Sequence, residues 1–294
     1  MYAVIDIGSN TIRLSFYKYV RGQVEALMNK KTVAGLVSYV DSDNNLTQEG
    51  IDILVDVLNE YKLILKGLKT TNIYVFATAS LRNVKNSKAV LKKISKATEL
   101  KLDLLDEEQE ASYGYFGAVQ SVTLKEGLYI DIGGGSTELV FFKNNKILYS
   151  KSFSIGSLNA YIKFVSKLIP TKEEEMNLYN HVTKLLKTLP VIDCDCTNIC
   201  GVGGTLRASL KLNEKRIHLK TNGYKSSDLE LLLDREDYMK YITTVLKVKP
   251  DRIHTITTGM VILKAIADYY GSETIYISSY GVREGYLASK IKEK

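Results

Sequence analysis

Two thirteen-residue runs hold the residue types that handle phosphate. Asp6-Ile7-Gly8-Ser9-Asn10-Thr11-Ile12-Arg13-Leu14-Ser15-Phe16-Tyr17-Lys18 returns 125 residues later as Asp131-Ile132-Gly133-Gly134-Gly135-Ser136-Thr137-Glu138-Leu139-Val140-Phe141-Phe142-Lys143. The copies are identical at six positions: Asp6/Asp131, Ile7/Ile132, Gly8/Gly133, Leu14/Leu139, Phe16/Phe141 and Lys18/Lys143. Such self-similarity at a fixed offset indicates a duplicated unit. Glycine lets a ligand approach the main chain closely, so consecutive N–H groups can converge on an anion. Ser9, Asn10, Thr11, Ser136 and Thr137 add side-chain donors. Asp6 and Asp131 would repel a bare phosphate, and make sense there with a hard cation such as Mg²⁺ between. One copy alone would read as an ordinary glycine turn with a capping Asp. Two copies read as a pair of phosphate-binding hairpins facing each other. They differ in sign at equivalent positions, Arg13 against Glu138. The first is therefore expected mainly to clamp phosphate, and the second to position metal and water.

Three other stretches could contribute. Arg82 follows a buried strand and a loop of small residues, Ala77-Thr78-Ala79-Ser80-Leu81. There a guanidinium can grip phosphate bidentately, or simply be salt-bridged on a helix N-terminal turn. Asp106-Glu107-Glu108-Gln109-Glu110-Ala111 opens a helix, where acids favour the dipole. One of these carboxylates, facing inward, could act as a general base on water. Gly203-Gly204-Thr205 after a strand suits a phosphate contact at a helix N-terminus, or a tight strand–helix joint. Cys194, Cys196 and Cys200 form C-x-C-x₃-C, but His181 and His218 are remote as a fourth zinc ligand. They read as reduced cysteines near a buried strand.

These residues must be positioned by alternating strands and helices. Strand material is expected over 22–40, punctuated by Gly22 and Gly35. A helix over 48–67 follows Thr47 as N-cap, with Ile51, Leu54, Val55, Leu58, Tyr61 and Leu65 in one stripe. Strand 72–76, the 77–83 loop, a basic helix over 86–98, strand 102–105 and a helix to 121 complete the first half. The second half reads as strand 146–153, helices 156–168 and 171–188, strand 198–202 and a helix over 205–213. A helical pair over 226–247, helix 259–270, strand 274–278 and helix 282–292 close the chain. This alternation supports α/β sheets in both halves.

At 294 residues with 45% hydrophobic content, two domains are the natural count. The boundary is expected near 122–126, giving domains 1–122 and 123–294, with the last helix packing back on the first. The charge of +7 suits an acidic ligand, and the absence of Trp and of any aromatic-basic interleave argues against a nucleic-acid module. With no signal segment and no long apolar run, a cytoplasmic protein without a membrane partner is expected.

Ile5-Asp6-Ile7-Gly8-Ser9-Asn10, Ala77-Thr78-Ala79-Ser80-Leu81-Arg82, Glu110-Ala111, Asp131 to Glu138, Gly203-Gly204-Thr205 and Arg283-Glu284-Gly285 together resemble the exopolyphosphatase / guanosine pentaphosphate phosphohydrolase (Ppx/GppA) family. The resemblance runs in order along nearly the whole chain. It implies two actin-like (ribonuclease H-like) domains with mixed sheets flanked by helices, the active site in the interdomain cleft. It also implies release of terminal phosphate from polyphosphate or guanosine pentaphosphate, assisted by Mg²⁺ or Mn²⁺. Carried over by motif, Arg82 would hold the terminal phosphoryl group and Glu110 would orient water. Asp131 and Glu138, with Asp6, would manage the metal. The two loops (Gly8, Ser9, Asn10, Thr11 and Arg13; Gly133, Gly134, Gly135, Ser136 and Thr137), Ser80, and Gly203, Gly204 and Thr205 would bind phosphates. A homodimer is an accompanying expectation. The chain departs from the family pattern at Asn159, His254, Thr258 and Ser279-Tyr280, which bears on substrate preference. A non-catalytic polyphosphate or nucleotide sensor, or an actin-like ATPase or kinase, are the alternatives.

Overall fold

The structure, a computed structural model, describes residues 1–20 and 23–292; the expected Gly22 turn lies outside them. The chain divides into two compact units, residues 1–110 with 286–294, and residues 111–285.

The first unit begins with β1 (Tyr2–Ile7), β2 (Thr11–Val20) and β3 (Gln23–Val33), joined antiparallel. α1 (Gln48–Gly67) then carries the chain to β4 (Ile73–Ala77), parallel to β1. The short α2 (Ala79–Arg82) and α3 (Ser87–Thr98) lead to β5 (Leu102–Leu104), parallel to β4, and to α4 (Glu107–Ala118), which from Ala111 on belongs to the second unit. The sheet order is β3-β2-β1-β4-β5, mixed because parallel neighbours need helical crossovers while hairpins do not. α1 starts where Thr47 Oγ1 accepts from Gly50 N, and it buries Ile51, Leu54, Leu58, Tyr61 and Leu65. Those side chains meet Ala3, Ile5, Ile7, Ile12 and Leu14 of the hairpin in one core. The 77–83 segment, expected as loop, contains the helical turn α2, fixed by Leu81 N and Arg82 N donating to Thr78 O.

The second unit repeats the plan. β6 (Glu126–Ile132), β7 (Thr137–Lys143) and β8 (Lys146–Phe153) are antiparallel. α5 (Ser157–Phe164) and α6 (Lys172–Leu186) cross to β9 (Asn198–Val202), parallel to β6. α7 (Gly203–Ile217), β10 (Gly223–Lys225), α8 (Asp228–Leu233), α9 (Tyr238–Val248), α10 (Ile256–Tyr270) and β11 (Thr274–Ile277) follow, and α11 (Val282–Lys292) belongs from Tyr286 on to the first unit. The order β10-β11-β9-β6-β7-β8 matches the first sheet strand for strand, with β10 added at the edge. Even an irregularity recurs: the register shifts between Phe16 and Tyr17 in the first unit and between Phe141 and Phe142, 125 residues on, in the second.

The main core of the second unit lies between the sheet and α5, α6, α7 and α10. On the other face Ala111, Tyr115 and Ala118 of α4 pack on Tyr129, Val140, Phe142 and Cys200. β10 was not expected from the sequence, α7 runs past residue 213 to Ile217, and α5 stops at Phe164. Among the described residues no helix is long and apolar enough to cross a membrane.

Candidate functional site

The two glycine loops share one internal hydrogen bond: Gly8 N donates to Thr11 O at 3.1 Å, and Gly133 N to Ser136 O at 2.9 Å. Their other carbonyls are held from outside the loop. In the first, Val37 N donates to Ser9 O at 3.0 Å, and Ala34 N and Gly35 N donate to Asn10 O at 3.1 and 3.0 Å. In the second the donors come from the start of α5. Ser157 N reaches Gly133 O at 2.9 Å, and Leu158 N and Asn159 N reach Gly134 O at 2.9 and 3.1 Å. The first amides of a helix have no partner within it, and here the loop carbonyls supply one. Asn159 Nδ2 adds a bond to Gly135 O at 2.8 Å. Gly156 makes the fit possible, because a Cβ there would stand 2.6 Å from the Gly134 carbonyl carbon. With the carbonyls held, the amides of Ser9 and Asn10, and of Gly134, Gly135 and Ser136, donate to no group among the described residues. Successive amides of this kind form an anion-binding concavity.

In the first unit, Arg82 and Glu110 meet. Asp106 caps α4, accepting from Gln109 N at 2.8 Å while Gln109 Oε1 accepts from Asp106 N at 3.1 Å. This reciprocal box sets the helix phase. Glu107 and Glu108 are exposed, while Glu110 turns inward and is buried. Arg82 Nη1 donates to Glu110 Oε2 at 2.8 Å and to Leu105 O at 2.9 Å. Arg82 Nε is buried with no hydrogen-bond partner. So Arg82 is salt-bridged, and the carboxylate it holds is the single inward acid of the cluster. Ser80 Oγ donates to Ile7 O at 2.6 Å, tying α2 to the end of β1 beside Gly8.

The second unit assembles a different set. In the β6–β7 ladder Asp131 stands directly opposite Glu138, where β1–β2 sets Asp6 opposite Arg13. Directly opposed residues share a face, and like charges there destabilise the pair unless something compensates. Ser152 Oγ donates to Glu138 Oε1 at 3.0 Å. Asp131 lies over the start of α7: a Cβ on Gly203 would be 2.3 Å from Asp131 Oδ1, and Gly203 already has φ +85°. Two opposed carboxylates of hard oxygen donors fit Mg²⁺, which typically takes one or two carboxylates and completes its shell with water and substrate phosphate.

Sequence reading passed over one cation here. Arg252 Nη2 lies 1.8 Å from where a Cβ on Gly204 would stand, so the guanidinium packs on the glycine pair. Its Nε is buried without a hydrogen-bond partner. Burial lowers its pKa, opposed by the Asp251 and Asp131 carboxylates. No local spacing marks Arg252; it comes to the site because the α10 approach packs on α7, with Gly259 against Thr205. Asn159, a departure from the family pattern, proves to anchor the second loop. Two expected phosphate contacts have buried hydroxyls, one bonded elsewhere and one, Thr205 Oγ1, without a hydrogen-bond partner. Thr137 Oγ1 donates to Ile155 O at 2.6 Å, and Thr205 is fully buried.

The crystal structure of the Aquifex aeolicus member of the Ppx/GppA protein family is 26% identical, with a TM-score of 0.81, covering 99% of this chain and 97% of that one. Both sheets thus belong to a two-domain actin-like fold. Among curated relatives, the bifunctional 3-dehydroquinate synthase/phosphatase of Fusobacterium nucleatum is 27% identical over 99% of this chain and 47% of its own length. The putative exopolyphosphatase of Haemophilus influenzae is 25% identical over 98% and 90%. The guanosine-5'-triphosphate,3'-diphosphate pyrophosphatase of Pseudoalteromonas translucida is 26% identical over 100% and 60%. The chain therefore spans about half the length of the first of these relatives and 60% of the third. The duplicated loops, the inward Glu110 and the paired carboxylates fall within or beside the stretch, residues 16–294, matched by the model of the Ppx/GppA phosphatase family, and the chain belongs to that family.

Proposed function

We propose that the protein is a phosphoanhydride hydrolase that removes terminal phosphate from inorganic polyphosphate, with guanosine pentaphosphate as a second substrate. The observation that carries this reading is the part-buried Arg82–Glu110 pair, a cation suited to phosphate bonded to a candidate base. Family membership and the names of the Haemophilus and Pseudoalteromonas relatives support the substrate class.

Hydrolysis of a phosphoanhydride asks for positioning, charge neutralisation on the transferring group and an oriented water. In this reading residues of both units serve one reaction. Arg82 turns its remaining donors to the terminal phosphoryl group while its Nη1 holds Glu110. Glu110 accepts a proton from the attacking water. The free amides of the two loops hold the neighbouring phosphates, and Arg13 adds a cation on the first. Asp131 and Glu138 would hold the divalent metal on which phosphatases of this family generally depend, Mg²⁺ or Mn²⁺, which when bound neutralises phosphate charge. Asp6 sits opposite Arg13, so the second hairpin is the better metal site. A cytoplasmic location and a homodimer are expectations that accompany this reading.

Phosphate release measured in parallel from polyphosphate, guanosine pentaphosphate and ATP tests this. Turnover of the first two, falling ~10²–10⁴-fold in Glu110→Gln, is the expected result. ATP as the preferred substrate, or binding without turnover, would overturn it. Near-normal turnover in Glu110→Gln alongside loss in Glu107→Gln would move the base to another helical position.

A further inference from the structure

The basic helix that the sequence marks over 86–98 takes no part in the chemistry proposed above. In the structure it is α3, which holds four lysines and no acid. Val90, Ile94 and Thr98 are its buried positions, four residues apart on the side that meets the core. Lys88, Lys92 and Lys96 repeat at the same spacing two residues out of step, a rotation of about 200° at 3.6 residues per turn. They stand in one exposed row on the side away from the core, about 12 Å from first to last at 1.5 Å per residue. Lys93 is not part of the row, because its Nζ donates to Gln48 Oε1 of α1 at 2.7 Å.

The row works against its own helix. Like charges four apart oppose helix formation, and a cation in the first turn opposes the dipole. α1, α4 and α6 carry glutamates in their first turns, whereas α3 has Lys88 there and no acid. An acidic row on α1, Asp52, Asp56 and Glu60, is met at Glu60 by Lys30 at 3.1 Å. Among the described residues no carboxylate pairs with Lys88, Lys92 or Lys96. Glu99, the acid that follows α3, is bonded to Lys62 of α1.

The row is also continuous with Arg82. β4 ends at Ala77 beside Ile7, so α3 starts at the glycine-loop end of the first sheet and leads away from it to β5. The joining residues are pinned by the 44–46 turn. Asn44 Nδ2 donates to Asn83 O at 2.7 Å, Lys85 N to Asn44 O at 2.8 Å, and Asn86 Nδ2 to Leu46 O at 2.9 Å. α3 therefore keeps a fixed bearing from Arg82, and the exposed Lys85 lies between them in the chain.

We propose that Lys88, Lys92 and Lys96 form a docking track for the body of an inorganic polyphosphate chain whose terminal phosphoryl group lies at Arg82, which rests on the phosphohydrolase reading. A linear polyanion with a charge on every unit matches a single row of cations, and each phosphate neutralised releases condensed counterions. The apolar side of α3 is used by the core, so the helix has nothing to insert into a membrane. It carries no aromatic ring on which a nucleic-acid base could stack.

The test measures equilibrium binding of long-chain polyphosphate and of tripolyphosphate to the full-length protein, with phosphate release from each followed separately. The triple variant Lys88→Gln, Lys92→Gln, Lys96→Gln should weaken long-chain binding about tenfold and lower its slope against salt, on logarithmic axes, by about 2–3. Its binding and turnover of tripolyphosphate, too short to occupy Arg82 and the row together, should be unchanged. Its melting temperature without polyanion should be equal or higher, because the like charges are gone. A control with the same charge loss at exposed positions, Lys184→Gln, Lys187→Gln, Lys247→Gln, should keep the long-chain affinity. Unchanged long-chain affinity in the row variant, with normal tripolyphosphate turnover, would overturn the track and leave the phosphohydrolase reading standing. An equal loss in the control would make the effect one of net charge, and an equal loss with tripolyphosphate would place the lysines at the reaction site; either overturns the track. So would row-dependent binding to phosphatidylserine vesicles with polyphosphate binding unchanged. Absence of turnover with both phosphates would end the phosphohydrolase reading, and the binding comparison would still decide the track.

Discussion

The two hairpins have one backbone and two electrostatic designs. Loop bond, ladder register and bulge coincide at the 125-residue offset, yet Asp6 faces Arg13 while Asp131 faces Glu138. The first ladder balances its own charge. The second sets two carboxylates opposite each other, beside the glycine pair and Arg252. The two copies thus share the device that presents amides and differ in charge at a single ladder position, where the proposed division of roles lies.

Kinetics should break or support that division most sharply. Glu138→Ala is expected to lower kcat ~10²-fold or more with little change in KM, and Arg13→Ala to raise KM about tenfold with kcat nearly kept. Steady-state rates on polyphosphate decide, and the reverse pattern would end the assignment.

A methyl group should also be tolerated differently at the first glycine loop and at the start of α7, beside the second hairpin. Gly203→Ala meets Asp131 Oδ1 at 2.3 Å in a left-handed conformation, whereas the Cβ of Gly8→Ala meets only Thr11 O at 3.1 Å. Chemical denaturation should show a loss of about 1–3 kcal/mol for the first and about 1 kcal/mol or less for the second.

A smaller effect sharpens the charge argument. In chelator, Glu138→Gln relieves the facing carboxylates and should raise stability by about 0.2–1 kcal/mol, while Asp6→Asn should lower it by a similar amount. Added Mg²⁺ should raise the melting temperature of the unaltered protein more than that of Glu138→Gln. Equal shifts in both would exclude the second hairpin as the metal site.

The mildest contrast is with pH. All three histidines, His181, His218 and His254, lie in the second unit. Burial, followed by the Arg252 charge, lowers the His254 pKa against the pull of Asp251, and burial and two lysines lower that of His181. The unfolded chain therefore takes up protons first as pH falls below about 6.5. Stability should be full above that value and decline below it, and His254→Gln should flatten the decline. Hydrogen exchange should place the change in the second unit.

Much of this was legible in the chain itself. Thr47 and the Ile51 to Leu65 stripe mark α1, because capping and a 3.6-residue period act locally. The repeat gives both hairpins and the exchange of Arg13 for Glu138, while the opposition of Asp131 and Glu138 comes from the ladder register. What escaped depends on distant contacts. β10 is three residues long and exists through its pairing with β11. Arg82 admitted two readings until Glu110, 28 residues on, was seen to hold it. Arg252 reaches the glycine pair through helix packing that no nearby residue announces.

The rearward anchoring of the loop carbonyls has a consequence for recognition. On the proposed function, a phosphate chain arriving at Gly134 and Gly135 would find a mould already set by α5, so little chain entropy would remain to be lost on binding. Asn159, which touches no expected ligand atom, then becomes a governor of affinity. Loosening it would leave every phosphate contact chemically intact while making each encounter weaker.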